Sequence, residues 1–125
     1  MGLDKILKEI AAWAETEEVI WRVYFFGSRL KGTHSLDSDL DIALEIVKGV
    51  GDTSFCAAFA FDKQDFISRI QPLSPFKIDL CLYAGSNETP DVCRYIEDAS
   101  LVIYDAELGK KYWVLNLQQG ILQYP

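Results

Sequence analysis

Two stretches of the chain carry residue types that suit phosphate and metal chemistry. Gly27-Ser28-Arg29 follows an apolar run, and Asp39-Leu40-Asp41 begins after ten further residues. A Gly-Ser turn can bind phosphate through backbone N–H groups and a hydroxyl, with a nearby guanidinium assisting. We therefore predict that Gly27, Ser28 and Arg29 bind a nucleotide.

The acidic residues predict a metal site. Strand geometry repeats every two residues, so Asp39 and Asp41 are expected on one face of a strand with their carboxylates close together. Two like charges at that distance call for a cation or a proton between them, and magnesium prefers carboxylate oxygen. Asp79 lies in a second alternating segment, on the face opposite the apolar Ile78 and Leu80, and could complete the site. We predict Asp39, Asp41 and Asp79 as both catalytic residues and metal ligands.

The joint pattern is more specific than either motif. Asp-x-Asp alone is common, and Gly85-Ser86 repeats the turn without the acids, because only Glu97 follows at the right interval, in a helical stretch. A strand, a Gly-Ser turn, two acids opening the next strand and a third acid on another strand together predict nucleotidyl transfer.

Simpler interpretations remain open for individual residues. Asp39 and Asp41 could be turn residues, Ser28 a helix N-cap, Arg29 a surface ion-pair partner and Asp79 an edge charge. A calcium loop starting at Asp37 is disfavoured, since Ile42 and Lys48 stand where that loop needs Gly and Glu. His34 is the only histidine and is expected to be solvent-exposed.

Composition narrows the class of protein. At 125 residues, with half of them hydrophobic, the chain is expected to form one domain, 1–125. A net charge of -7 with 12 basic residues does not favour direct nucleic-acid binding. The sequence contains no apolar run of about 18 residues, so no membrane span is expected. Three cysteines without Cys-x-x-Cys spacing are typical of free thiols in the cytoplasm.

Hydrophobic periodicity predicts an α+β (α/β) fold with a small mixed sheet and helices mainly on one side. The motifs fall within 20–83, and the role of 108–125 is uncertain. The first expected elements are a helix at 3–15, a strand at Ile20–Phe26, a turn into a short helix at Gly27–Lys31 and a loop at Gly32–Ser38. A strand at Asp39–Ile46, ended by Gly49-Val50-Gly51, and a helix capped by Asp52 or Thr53 and stopped by Pro72 are expected next. The remaining elements are a strand at Phe76–Tyr83, a helix at Thr89–Asp98, a strand at Leu101–Tyr104, a weak helix at Glu107–Leu117 and a loose tail at Gln118–Pro125.

At these motifs the chain resembles the minimal nucleotidyltransferase (MNT) family of the DNA polymerase beta superfamily. The matching strings are Gly27-Ser28-Arg29-Leu30-Lys31-Gly32, Ser38-Asp39-Leu40-Asp41 and Lys77-Ile78-Asp79-Leu80. It departs from the family at Lys31, where Arg is common, and at Ser35, where a basic residue is frequent. The resemblance implies a polymerase-beta-like fold, magnesium as cofactor and ATP as substrate.

The resemblance also implies a partner. Stand-alone domains of this family often pair with a small helical HEPN toxin, an RNase, and silence it by transferring AMP to a tyrosine, as the antitoxin of a type VII toxin–antitoxin pair. Alternatives are nucleotidyl transfer to a small molecule, and a non-catalytic module that blocks its partner. Exposed aromatic residues on the first helix or the C-terminal stretch would mark a partner surface, and an oligomer is possible.

Overall fold

The computed structural model describes residues 2–47, 54–108, 113–117 and 120–124, and from residue 108 onward it describes the backbone alone. Among the described helices none is long and apolar enough to cross a membrane. The helices are α1 (Leu3–Glu15), α2 (Ser28–Lys31), α3 (Phe55–Ile70), α4 (Gly85–Glu88) and α5 (Pro90–Asp98), and the strands are β1 (Ile20–Phe26), β2 (Leu40–Ile46), β3 (Ile78–Leu82), β4 (Ala99–Asp105), β5 (Trp113–Leu117) and β6 (Gly120–Tyr124), with 3₁₀ turns at Gln71–Leu73 and Ala106–Leu108.

The strands form one mixed sheet in the order β3-β2-β1-β4-β5-β6. β2 and β3 are parallel, and every other neighbouring pair is antiparallel. A parallel pair needs a long crossover connection, and α3 supplies it between β2 and β3. The predicted α+β class with a small mixed sheet is confirmed.

The main core lies between one face of the sheet and helices α1 and α3. Alternate residues of β2, namely Leu40, Ile42 and Leu44, have no exposed surface, because strand periodicity sends them all to this face. From the helices, Ile6 and Ile10 of α1 and Phe59, Phe66 and Ile70 of α3 pack against them. This core leaves the opposite face of β2 to Asp41, Ala43 and Glu45.

Helix α5 packs on that opposite face. Ile96 joins a smaller buried cluster with Tyr24, Phe26 and Ala43. Helices therefore lie on both faces, with the two longer ones on one side as expected. Beside α5, a cleft is bordered by Phe26 of β1, Asp41 of β2 and Asp79 of β3.

The C-terminal prediction was wrong. Segment Glu107–Leu117 was expected to be weakly helical and Gln118–Pro125 loose, but Trp113–Leu117 and Gly120–Tyr124 are strands β5 and β6. β5 pairs with β4, whose edge would otherwise expose unpaired backbone N–H and C=O groups. Satisfying that edge outweighs a weak local helical preference.

The predicted start of α3 also needs correction. The N-cap is Ser54, whose hydroxyl accepts a hydrogen bond from the backbone N–H of Ala57 at 3.0 Å. Asp52 and Thr53, the residues proposed for this role, lie outside the described residues, as does the Gly49-Val50-Gly51 strand end. Ser54 satisfies one of the free N–H groups of the first turn in the same way that Asp or Thr would.

Candidate active site

Strand register brings two of the three predicted acids side by side. Asp41 on β2 lies between Phe26 of β1 and Asp79 of β3 in the pairing of the sheet. Residues paired across neighbouring strands project to the same face, so both carboxylates project from the face opposite α1 and α3. Asp39 lies just before β2, which begins at Leu40 rather than at the predicted Asp39.

The proximity of the acids changes their protonation. The pKa of Asp41 is raised to about 6. Burial is the largest cause, followed by the charge of Asp79, a hydrogen bond with Asp79 and the charge of Asp39. In the absence of a cation, a proton held between Asp41 and Asp79 relieves the repulsion. A divalent cation would do so more effectively at neutral pH.

These residues fit a magnesium ion in part. Two adjacent carboxylates supply hard oxygen ligands, which magnesium prefers to supplement with substrate phosphate and water. Over the described residues, no three acidic, His or Cys side chains already converge as a complete metal cage. Asp39 influences Asp41 through its charge and would have to approach for a three-carboxylate site.

Gly27 joins the phosphate turn directly to the acids. Its φ is +85°, a conformation that side-chain-bearing residues rarely adopt. A Cβ built at this position would lie 2.0 Å from Oδ2 of Asp41, far inside van der Waals contact. The turn therefore lies against the Asp41 carboxylate, and glycine is required for both the backbone conformation and the contact.

Ser28 is available to a ligand. It is the first residue of α2, and Gly27 occupies the cap position without a side-chain cap, so the alternative that Ser28 is only an N-cap is wrong. Its side chain lines the cleft, and within the described ranges its hydroxyl has no hydrogen-bond partner. Backbone bonds from Lys31 N–H to Gly27 O and from Thr33 N–H to Ser28 O hold the turn in place.

Arg29 contacts the loop before β2 instead of the cleft. Its Nη2 and Nε donate to the carbonyl oxygen of Ser38 at 2.8 and 3.1 Å. The guanidinium carbon lies 3.7 Å from the ring centroid of Phe76, a close cation–π contact. Arg29 is not among the residues that line the cleft. Its expected phosphate contact stays a prediction, while the observed contacts position the residue just before Asp39.

The cleft has a polar and an apolar wall. It encloses about 340 Å³ between the Gly27-Ser28 turn, the acids and helix α5. Lys31, on its rim, forms an ion pair with Asp98 of α5.

Cys81 also lines the cleft. Burial, followed by the charges of Asp79 and Asp41, raises the pKa of Cys81 to about 11, so this thiol stays protonated and is a poor nucleophile.

Sequence reasoning did not identify the apolar wall. Phe26, Val92 and Tyr95 form it, and Tyr95 is 54% exposed. Val92 and Tyr95 are three residues apart on α5, which predicts a shared helix face. No local signal indicates that this face borders the acids, because the packing of α5 on the sheet decides it.

Comparison with known proteins agrees with the geometry. No curated protein sequence matches the chain significantly. A crystal structure of a Sulfolobus solfataricus protein, provisionally assigned as a nucleotidyltransferase, shares the fold with a TM-score of 0.52 at 23% identity, covering 82% of this chain and 80% of that one. The model of the family "Polymerase beta, Nucleotidyltransferase" matches residues 8–108, which include the Gly-Ser turn and all three acids. The chain therefore belongs to the polymerase beta nucleotidyltransferase family.

Proposed function

We propose that the protein transfers AMP from ATP to a hydroxyl group in a magnesium-dependent reaction. The observation that carries the proposal is the contact between the Gly27 turn and the Asp41 carboxylate, which is itself paired with Asp79. A phosphate-binding turn and a pair of metal-binding acids are then within reach of one triphosphate. Family membership supports nucleotidyl transfer in general, and the choice of ATP and magnesium is ours.

Each residue has a defined role in this proposal. Asp39, Asp41 and Asp79 would hold the metal, which when bound supplies positive charge to the α-phosphate and the attacking oxygen. The backbone at Gly27 and the hydroxyl of Ser28 hold the β- and γ-phosphates. Asp79, the most exposed of the three acids, accepts the proton of the attacking hydroxyl. The acceptor oxygen forms a bond to the α-phosphorus, the bond to the β-phosphate oxygen breaks, and pyrophosphate leaves.

The proposed acceptor is a tyrosine of a HEPN toxin encoded nearby, which makes this protein the antitoxin of the pair. The proposal rests on the resemblance in motifs and on an open cleft bordered by the exposed Asp79, which a protein side chain could approach. The proposed location is the cytoplasm, where ATP and magnesium are present. Three free cysteines are consistent with that reducing environment.

The test is to incubate the protein with magnesium, ATP labelled at the α-phosphate and the neighbouring gene product. We expect mass spectrometry to find AMP on a tyrosine of the partner with wild type and none with Asp41→Asn. Asp62→Asn is the matched control, because Asp62 is an exposed acid on α3 that is not among the residues lining the cleft.

Two other outcomes would redirect the proposal. Label transferred only to a small molecule would contradict the protein acceptor but retain nucleotidyl transfer. A stable complex with the partner and no transfer of label would favour a non-catalytic module that blocks its partner.

A further inference from the structure

The apolar wall of the cleft has an exposed aromatic ring that the catalytic roles leave unexplained. We propose that Tyr95 is a stacking platform for the base of the nucleotide, with Phe26 supporting it from behind. This inference rests on the proposed function, because it assigns the base to a cleft whose opposite wall would hold the triphosphate.

The ring of Tyr95 is held from one side. Its plane is inclined by 12° to that of Phe26, and their centroids are 6.2 Å apart, so the two rings are stacked with an offset. Phe26 is only 5% exposed and belongs to the buried cluster under α5. The backing ring is therefore fixed by the core.

Tyr95 is much more exposed than the tyrosines of the core, Tyr24 and Tyr104. A tyrosine that served only the core would bury most of its surface, as Tyr24 does at 8% exposure. Tyr95 is 54% exposed and borders the cleft, with Val92 beside it on α5. An aromatic ring with one face supported and much of its surface open can stack on a flat ligand.

The two walls together match the chemistry of a nucleotide. Gly27 and Ser28 offer N–H groups and a hydroxyl to phosphate, and Lys31 lies on the same wall in an ion pair with Asp98. The opposite wall, Phe26, Val92 and Tyr95, offers an apolar surface to a base. Phe26 immediately precedes Gly27 in the chain, so the support for the platform and the phosphate turn are covalently adjacent. A ligand that is anionic at one end and aromatic at the other can contact both walls at once.

The test separates base recognition from triphosphate recognition. Calorimetry would measure the binding of Mg-ATP and of magnesium tripolyphosphate, which lacks a base, to wild type, Tyr95→Phe, Tyr95→Leu and Tyr95→Ala. We expect Tyr95→Ala and Tyr95→Leu to lose about tenfold in Mg-ATP affinity, because stacking on an aromatic ring is lost. Tyr95→Phe keeps the ring and should bind as wild type, and tripolyphosphate should bind all four proteins equally.

Two control variants separate the loss of stacking from other effects of substitution. Tyr95→Leu keeps an apolar cover over Phe26, so a fold defect in Tyr95→Ala alone would not remove the test. Arg94→Ala alters the neighbouring exposed residue, whose one ion pair among the described residues is with Asp91 on its own helix, and should leave both affinities unchanged.

The outcomes distinguish this inference from the proposed function. If wild type binds both ligands and Tyr95→Leu binds Mg-ATP equally well, the platform is refuted while the triphosphate site stands. An equal loss of both ligands in Tyr95→Leu would also refute it, because the ring would then act on the turn. If wild type binds neither ligand, the proposed function fails and the inference with it.

Discussion

The two Gly-Ser turns of the chain share a positive φ angle at glycine but differ in their surroundings. Gly27 and Gly85 adopt φ angles of +85° and +81°. Gly27 immediately precedes the short helix α2, and Gly85 is the first residue of the short helix α4. A Cβ on Gly27 would strike the carboxylate of Asp41, whereas a Cβ on Gly85 would have nothing within 4 Å among the described residues. A Gly-Ser turn is therefore a strand-to-helix corner unless strand pairing places acids beside it.

The second turn borders a cleft of its own. That cleft, of about 310 Å³, includes Gly85, Tyr83 and Glu45. Glu45 accepts hydrogen bonds from the hydroxyl of Tyr24 at 2.8 Å and from Arg22 at 3.1 Å, so its charge is already balanced. In contrast, Asp41 faces another acid. The comparison predicts that substitutions at the first turn affect ligand binding and that the same substitutions at the second turn affect only stability.

The largest effect is expected from Gly27→Val. Its Cβ would displace the Asp41 carboxylate, and valine would have to adopt the positive φ angle of Gly27. The combined cost in stability is expected to be about 2–4 kcal/mol. We expect calorimetry to detect no Mg-ATP binding. Gly85→Val, the matched variant, should lose about 1–2 kcal/mol from backbone strain alone and bind Mg-ATP normally.

The outcome at Gly27 can overturn the comparison. If Gly27→Val binds Mg-ATP as wild type does, the first turn is only a corner like the second. The non-catalytic binding module would then become the better interpretation of the protein.

Asp41→Asn should abolish nucleotidyl transfer while the protein remains folded, because a neutral amide removes both a metal ligand and a like-charge repulsion. Glu45→Gln, on the same face of β2, is the control and should leave magnesium affinity unchanged. Transfer assays and magnesium titrations would check both variants. Full activity in Asp41→Asn would exclude this residue from the metal site.

The raised pKa of Asp41 predicts a pH dependence. A carboxyl with a folded-state pKa near 6, above its ordinary 3.8, binds its proton more tightly in the folded protein. It therefore stabilises the metal-free protein most at low pH, and that contribution declines as pH rises from about 4 to about 6. Thermal melts across this range should show wild type losing stability relative to Asp41→Asn, and a constant difference would contradict the raised pKa.

Arg29→Ala should act on the loop that precedes Asp39. Losing two hydrogen bonds to Ser38 O and the contact with Phe76 would release the loop, with an expected cost of about 1.5–3 kcal/mol. We expect weaker magnesium affinity as well as weaker Mg-ATP binding. If only Mg-ATP binding falls, direct phosphate contact, as the motif suggests, is the better account.

The smallest effect is expected from Ser28→Ala. One hydrogen bond to phosphate contributes about 0.5–1.5 kcal/mol, so Mg-ATP affinity should fall only a few-fold. Ser86→Ala, the equivalent change at the second turn, should have no effect on affinity. Calorimetry on the two variants side by side checks this, and equal affinities would remove Ser28 from the phosphate site.

Much of the architecture could be predicted from local pattern. The alternation Leu40, Ile42, Leu44 requires a strand with one apolar face, and it leaves Asp41 on the other face whatever else the chain does. The Gly-Ser turn and its spacing to the acids are likewise visible in the sequence, and they predicted the polymerase beta superfamily that the family model supports. The strands β5 and β6 were missed, because the pairing of β5 with β4 and of β6 with β5 outweighed their local preference.

The sequence by itself determined which residues could bind phosphate and metal, and on which face of a strand Asp41 and Asp79 would lie. Only the tertiary structure decided that Asp41 pairs with Asp79, that Arg29 holds the loop at Ser38 and that Tyr95 borders the same cleft. Periodicity is a local property that backbone geometry imposes on every strand and helix. Register and helix packing instead depend on contacts between segments far apart in the chain, and no local pattern specifies those contacts.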